Sequence, residues 1–240
     1  TGNGIRVATD GTLYVADYTG HAVLRIDPAT RLVSHHARLH GAHQPNDIAL
    51  APDGTLYASD PDWSSDSGQL WRIDRDGAAH LLETGMGTTN GIEVSPDGRH
   101  LYVNESVQRR IWAYDIGADG GLSGKRLLIA FEDHGLDGMR CDAGGALYIA
   151  RYGAGTVAVV SPRGALLREV RLRGTSTIVG SSEPLYLVDG VIINNDSPQL
   201  LDLGGYAQNR LADINPNDIE RIEVIKGAAA AAIYGSRAAN

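Results

Sequence analysis

Four segments of this chain repeat one another, and their spacing leaves few folds open. Asp10-Gly-Thr-Leu-Tyr-Val-Ala-Asp17, Asp53-Gly-Thr-Leu-Tyr-Ala-Ser-Asp60, Asp97-Gly-Arg-His-Leu-Tyr-Val-Asn104 and Gly144-Gly-Ala-Leu-Tyr-Ile-Ala-Arg151 align on Leu13, Leu56, Leu101 and Leu147, which lie 43, 45 and 46 residues apart. A period of that length is one four-stranded blade of a β-propeller.

Short runs of β-branched and aromatic residues alternate with Asp-Gly and Gly-rich turns inside each unit, so the strands can be counted. The first unit predicts strands over 5–8, 12–17, 22–27 and 31–38. The second predicts 48–51, 55–59, 69–74 and 78–83; the third 92–95, 100–104, 110–115 and 126–131; the fourth 139–142, 146–151, 156–161 and 165–171. The expected fold is all-β, with four blades filling residues 1–173. From 174 the period fails and Ala and Asn rise. Residues 174–240 read as a small α+β fragment, with a strand over 219–225 and a helix over 228–234, where an alanine run favours helix between Gly227 and Gly235.

Composition removes several functions. With 42% apolar and 21% charged residues, and apolar stretches broken every few positions by Asp, Arg or Gly, no segment is a membrane span. Cys141 is a single cysteine and makes no internal disulfide, and Thr1 to Gly4 lack the start of a signal peptide, so the compartment stays open. A net charge of −8 argues against a nucleic-acid partner and fits a neutral ligand or a bound cation.

The residue just before each expected inner strand is polar in all four units: Asn3, Asn46, Asn90 and Asp137, spaced 43, 44 and 47 residues apart. Inner strands run side by side along a propeller's channel, so these positions form a ring at one mouth of it. Two readings of the ring stand. Oxygen donors with one carboxylate suit a hard divalent cation, Ca²⁺, or Mg²⁺ and Mn²⁺ with waters. Equally, Asn and Asp favour turns by bonding their own backbone.

Other clusters carry less. His35 and His36 fall on opposite faces of an outer strand, and His40 and His43 in the next loop, without a matching Cys or carboxylate set. Ser64, Ser65 and Ser67 read as a solvated loop, and Cys141 as a small buried hydrophobe. Trp71, Trp112, Tyr14, Tyr57, Tyr102 and Tyr148 recur at equivalent strand positions, as packing between blades requires. Arg109, Arg110, Lys125 and Arg126 are too scattered to form an anion groove.

Gln44-Pro-Asn-Asp-Ile-Ala-Leu-Ala-Pro-Asp-Gly54, Thr89-Asn-Gly-Ile-Glu-Val-Ser-Pro-Asp-Gly98, Leu101-Tyr-Val-Asn-Glu-Ser106 and Leu136-Asp-Gly-Met139 together resemble the SMP-30/gluconolactonase family of six-bladed propellers over residues 1–173. The resemblance implies a metal-dependent hydrolase of a small-molecule lactone. It implies Asn90 and Asp137 as cation ligands, Asn46 against substrate or cation, and Gln44 and Asn3 on the substrate side. Asp137 would activate water. Ca²⁺ is the expected ion, with Mg²⁺, Mn²⁺ or Zn²⁺ as the other divalent ions left open. Three departures lower the expected activity: the family's Glu ligand in a Glu-Gly-Pro context lies before the point where this chain begins, an Arg common two residues before the Asn46 position is Gln44, and no closing blade begins near 174. Unpaired blade edges would favour self-association.

Glu183-Pro-Leu-Tyr-Leu-Val-Asp-Gly190, Asn215-Pro-Asn-Asp-Ile-Glu-Arg-Ile-Glu-Val-Ile-Lys226 and Ala231-Ala-Ile-Tyr-Gly-Ser-Arg-Ala-Ala-Asn240 resemble instead the plug of SusC-type TonB-dependent outer-membrane receptors. The chain therefore reads as a chimera of two partial domains meeting near 171–174, with 178–181 and 185–189 placed to mimic two strands of a further blade. Two alternatives to a hydrolase stand beside it: a non-catalytic NHL-type binding propeller, which Leu13 to Asp27 also resembles, and a receptor fragment whose plug is the meaningful part.

Overall fold

The structure, a computed structural model, describes residues 1–171, 186–188 and 191–193. Sixteen strands form four sheets of four, each in the order of the sequence. The first blade comprises β1 (Gly2–Val7), β2 (Leu13–Asp17), β3 (Ala22–Ile26) and β4 (Val33–Arg38). The second comprises β5 (Ile48–Leu50), β6 (Leu56–Asp62), β7 (Ser67–Ile73) and β8 (Ala79–Met86). The third comprises β9 (Thr89–Val94), β10 (His100–Glu105), β11 (Arg110–Ile116) and β12 (Leu122–Ala130). The fourth comprises β13 (Gly135–Cys141), β14 (Leu147–Tyr152), β15 (Thr156–Val160) and β16 (Leu166–Arg171).

All pairings within the blades are antiparallel, and the expected number and order of strands is met in each. The Asp-Gly turns close their hairpins by one recurring device. Asp10, Asp53 and Asp97 accept the backbone N–H two residues on, and Gly11, Gly54 and Gly98 take the positive φ that the turn needs.

Apolar packing lies between blades rather than within them. Ala16, Val23, Ala37 and Leu39 of the first blade meet Ile48, Leu56, Trp71 and Ile73 of the second. Tyr57, Leu70 and Met86 meet Ile92, Leu101, Val103 and Tyr114, and Tyr102, Ile111 and Ala113 meet Leu136, Met139, Leu147 and Ile149. Trp71, Tyr57 and Tyr102 are thus interblade anchors as the repeat predicts, with Tyr14 and Trp112 packed against the same clusters. Tyr148 departs from that pattern: it stands half-buried at the channel mouth, its hydroxyl donating to Asp142.

The inner strands succeed one another as β1, β5, β9 and β13. Contact between them is close enough to forbid a side chain. A methyl built on Gly91 would lie 2.5 Å from the Asp137 carbonyl oxygen and 2.9 Å from the Met139 nitrogen, whereas one on Gly138 meets nothing within 4 Å. Gly91→Ala is therefore expected to cost about 2–3 kcal/mol, and Gly138→Ala close to nothing. Urea midpoints of the two variants check the contrast.

The chain divides into two compact units, Thr1–Arg171 and Leu172–Asn240. In the second, β17 (Tyr186–Val188) pairs antiparallel with β18 (Val191–Ile193). The strands expected over 178–181 and 219–225 and the helix over 228–234 lie outside the described residues.

Candidate functional site

Three of the four ring residues lie inside their strands, not just before them. In the first blade Gly2 faces Asp17 and Ile5 faces Val15, so Asn3 and Gly4 together oppose Ala16. Asn90 and Gly91 likewise oppose Asn104, and Asp137 and Gly138 oppose Ala150. Each pair is a β-bulge, after which the ladder resumes; the interruption made the strand look later than it is. Asn46 does precede β5, and the same two-against-one arrangement holds there: Ser59 accepts from the Asn46 N–H and donates to the Asp47 carbonyl.

Bulges re-aim side chains, and here they aim four of them at one place. Asn3, Asn46, Asn90 and Asp137 all line a cavity of about 600 Å³, together with Asp47, Arg140, Tyr148 and the apolar Ile5, Met139 and Val157. Asn46 and Asn90 are buried, while Asn3 and Asp137 are exposed. The Asp137 carboxylate accepts the Gly138 N–H at 2.9 Å. Asn90 Oδ1 is buried and, among the described residues, has no hydrogen-bond partner. Gln44 does not join the cavity lining, because its side-chain oxygen accepts the Tyr18 hydroxyl at 2.9 Å and its N–H is bound by Asp60.

Below this ring lies a second, made of charges. Arg6, Glu93 and Arg140 each follow a bulge residue by three positions, and Asp47 supplies the second blade's share. Arg6 reaches Asp47 at 3.2 Å, Glu93 at 3.5 Å and the Ile92 carbonyl at 2.9 Å. Arg140 reaches Asp47 at 3.3 Å and Glu93 at 3.8 Å. The two anions of the second and third blades lie between the two cations of the first and fourth, and each cation reaches both anions. Burial pushes the Glu93 carboxyl above its ordinary value while Arg6 and Arg140 pull it down; burial also lowers the Arg6 guanidinium.

The histidines form no centre. His35 pairs with Arg38, and His36 packs edge-on against Tyr14. No group of three or more His, Cys, Asp or Glu side chains is placed to hold a metal among the described residues. Half-buried Cys141 has its thiol pushed up to about 12, by burial first and then by Glu93 and Asp142, so it stays protonated at neutral pH.

This bulged mouth on a four-bladed array coincides with a known sequence family. The SMP-30/Gluconolactonase/LRE-like region profile matches residues 2–182. The chain belongs to the SMP-30/gluconolactonase/LRE-like family. A gluconolactonase of Zymomonas mobilis is 31% identical over 189 residues, covering 69% of this chain and 52% of that protein. The chain thus spans about half the length of that relative. Among solved structures, a calcium-binding regucalcin of Agrobacterium tumefaciens superposes with a TM-score of 0.63 at 24% identity, over 72% of this chain and 61% of that one, and shows the propeller fold. The TonB-dependent receptor plug domain profile matches residues 148–240, overlapping the first match over 148–182. There the TonB-dependent receptor SusC of Bacteroides thetaiotaomicron is 44% identical over 72 residues, which is 30% of this chain and 7% of that receptor.

A further set of residues positions the mouth of this SMP-30-like array. The fifth residue of each Leu-Tyr repeat is charged: Asp17, Asp60, Glu105 and Arg151. Each grips the segment leading into a bulge. Asp17 accepts from the Thr1 amino group, and Asp60 from the N–H groups of His43 and Gln44. Glu105 accepts from the Gly87 N–H, and Arg151 donates to the Asp133 carbonyl and carboxylate. The signal was available, since aligning the repeats puts a charge at the same place four times in otherwise buried strands.

Proposed function

We propose that the mouth of this propeller hydrolyses a small cyclic ester, a lactone of the sugar type, with a divalent cation held between Asn90 and Asp137. The observation that carries the reading is Asn90 Oδ1, a buried acceptor left without a partner on a residue that lines one cavity with Asn3, Asn46 and Asp137. Leaving such an oxygen unsatisfied costs about 1–3 kcal/mol, which a cation removes. The ring offers the side-chain oxygens of Asn3, Asn46 and Asn90 and the Asp137 carboxylate, the donor set of Ca²⁺ ahead of Mg²⁺ or Mn²⁺; the lining holds none of the His or Cys that Zn²⁺ favours. The kinship with gluconolactonases supports the substrate class.

A divalent cation bound there supplies Lewis acidity toward the ester carbonyl and a water of lowered pKa. The chain's own groups do the rest. Asp137 is held by Gly138 through one oxygen and, exposed at the mouth, takes the proton from the attacking water. Asn46 and Asn3 face the same space and orient the ring hydroxyls, while Met139, Val157 and the Tyr148 ring wall the ring carbons. A binding scaffold has no use for a carboxylate at one of four otherwise amide positions, which favours a hydrolase over an NHL-type module. The plug-like tail is read as a segment of receptor origin, supported by the likeness to SusC.

Calorimetric titration with calcium chloride, paired with pH-stat measurement of lactone opening, tests the reading. The unaltered chain is expected to bind one Ca²⁺, and Asp137→Ala to lose at least about tenfold in affinity and about 100-fold in rate. Equal binding by both forms removes the site.

A further inference from the structure

Asn104 occupies the place on β10 that faces the third blade's bulge, where the other blades carry Ala16, Ser59 and Ala150. It is fully buried, and its two amide ends serve different blades. Oδ1 accepts the Gly91 N–H at 3.1 Å, and Nδ2 donates to the Asp137 backbone carbonyl at 2.6 Å. The residue after Asn90 and Asp137 itself are thereby tied to one side chain. The neighbouring Ser106 extends the seam: its hydroxyl donates to the Leu136 carbonyl, and its own carbonyl accepts the Leu136 N–H at 3.3 Å. The counterpart Ser59 bonds within its own blade, to the Asp47 N–H and carbonyl, and alanine has no polar group to offer.

We propose that Asn104 is a positioning residue that fixes the separation of Asn90 and Asp137 and so selects a calcium-sized ion over a smaller one. This rests on the cation reading above. Asn90 and Asp137 extend from different blades, and two hydrogen bonds through one amide hold the backbones from which they project. Ca²⁺ takes oxygens at about 2.3–2.6 Å in flexible geometry, whereas Mg²⁺ demands about 2.0–2.1 Å and near-octahedral order. A pair of donors held at one separation therefore discriminates between them, and a loose pair does not.

The test compares the unaltered chain with Asn104→Ala, Asn104→Ser and Asp137→Ala. Alanine is the residue in two equivalent blades and serine in a third, so each fits the strand; should the alanine variant fail to fold, the serine variant carries the same comparison. Calcium and magnesium are titrated separately by calorimetry, and terbium(III) luminescence lifetimes in H₂O and D₂O count the waters on the bound ion. Asn104→Ala is expected to weaken Ca²⁺ by about 10–100-fold, to narrow the Ca²⁺ over Mg²⁺ preference, and to add about one water to terbium. A lowered melting temperature with unchanged affinity, preference and water count overturns this inference and leaves the cation site standing. No calcium binding by the unaltered chain, or equal binding by Asp137→Ala, overturns both.

Discussion

Asp60→Ala is expected to destabilise the propeller by about 4 kcal/mol, among the larger losses a single side chain can cause. The Asp60 carboxylate is completely buried and accepts four N–H groups: His43 at 2.9 Å, Gln44 at 2.6 Å, Gln69 Nε2 at 2.7 Å and Trp71 Nε1 at 2.9 Å. Alanine would leave those donors buried without an acceptor, a far larger cost than the net worth of the bonds themselves. Asp60→Asn keeps the volume and one acceptor oxygen but turns an NH₂ toward N–H donors, so roughly half the penalty is expected. Urea unfolding gives both numbers, and Trp71, losing its indole partner, reports the local change by fluorescence. A drop below about 1 kcal/mol for the alanine variant would mean that water replaces the carboxylate and that the loop before Asn46 is held by other contacts.

The period, the strand count and the polar ring were legible because each is written in residue types that recur at fixed intervals. Leu13, Leu56, Leu101 and Leu147 mark second strands whose neighbours are set by blade geometry. The start of the inner strand was not legible, because a bulge breaks the period-two alternation at the residues that matter, Asn3-Gly4, Asn90-Gly91 and Asp137-Gly138. The partnerships of Arg6, Asp47, Glu93 and Arg140 were hidden for a different reason. They lie 41 to 93 residues apart in sequence, and nothing local to any of them names its partner. Gln44 looked like a site residue through the resemblance alone, whereas its side chain is engaged by Tyr18.

Arg6→Met is expected to cost about 3–5 kcal/mol at neutral pH, because it takes from two buried carboxylates the buried cation they share and leaves them only the half-exposed Arg140. Asp47 and Glu93 each lie beside Arg6, and the remaining cation, Arg140, is half exposed and reaches Glu93 only at 3.8 Å. The penalty has a pH signature whose direction follows from Glu93. Burial already raises its carboxyl above the ordinary value, with Arg6 the larger of the two opposing charges, so removing Arg6 raises it further. A carboxyl that titrates higher in the folded state holds its proton preferentially there. Its favourable contribution is complete below the unfolded value, about pH 4, and is lost as pH rises through the folded one. The gap between the unaltered chain and Arg6→Met is therefore expected to be smallest in acid, to widen as pH rises, and to level off once Glu93 is ionised in both states. Adding Glu93→Gln to Arg6→Met removes the titrating group, and should recover much of the loss and flatten the profile. Thermal or urea unfolding of the three variants between pH 4 and pH 8 measures all of this. A pH-independent gap would assign the loss to Arg6's bond with the Ile92 carbonyl and to its packing, leaving the four charges beneath the mouth without a part in stability.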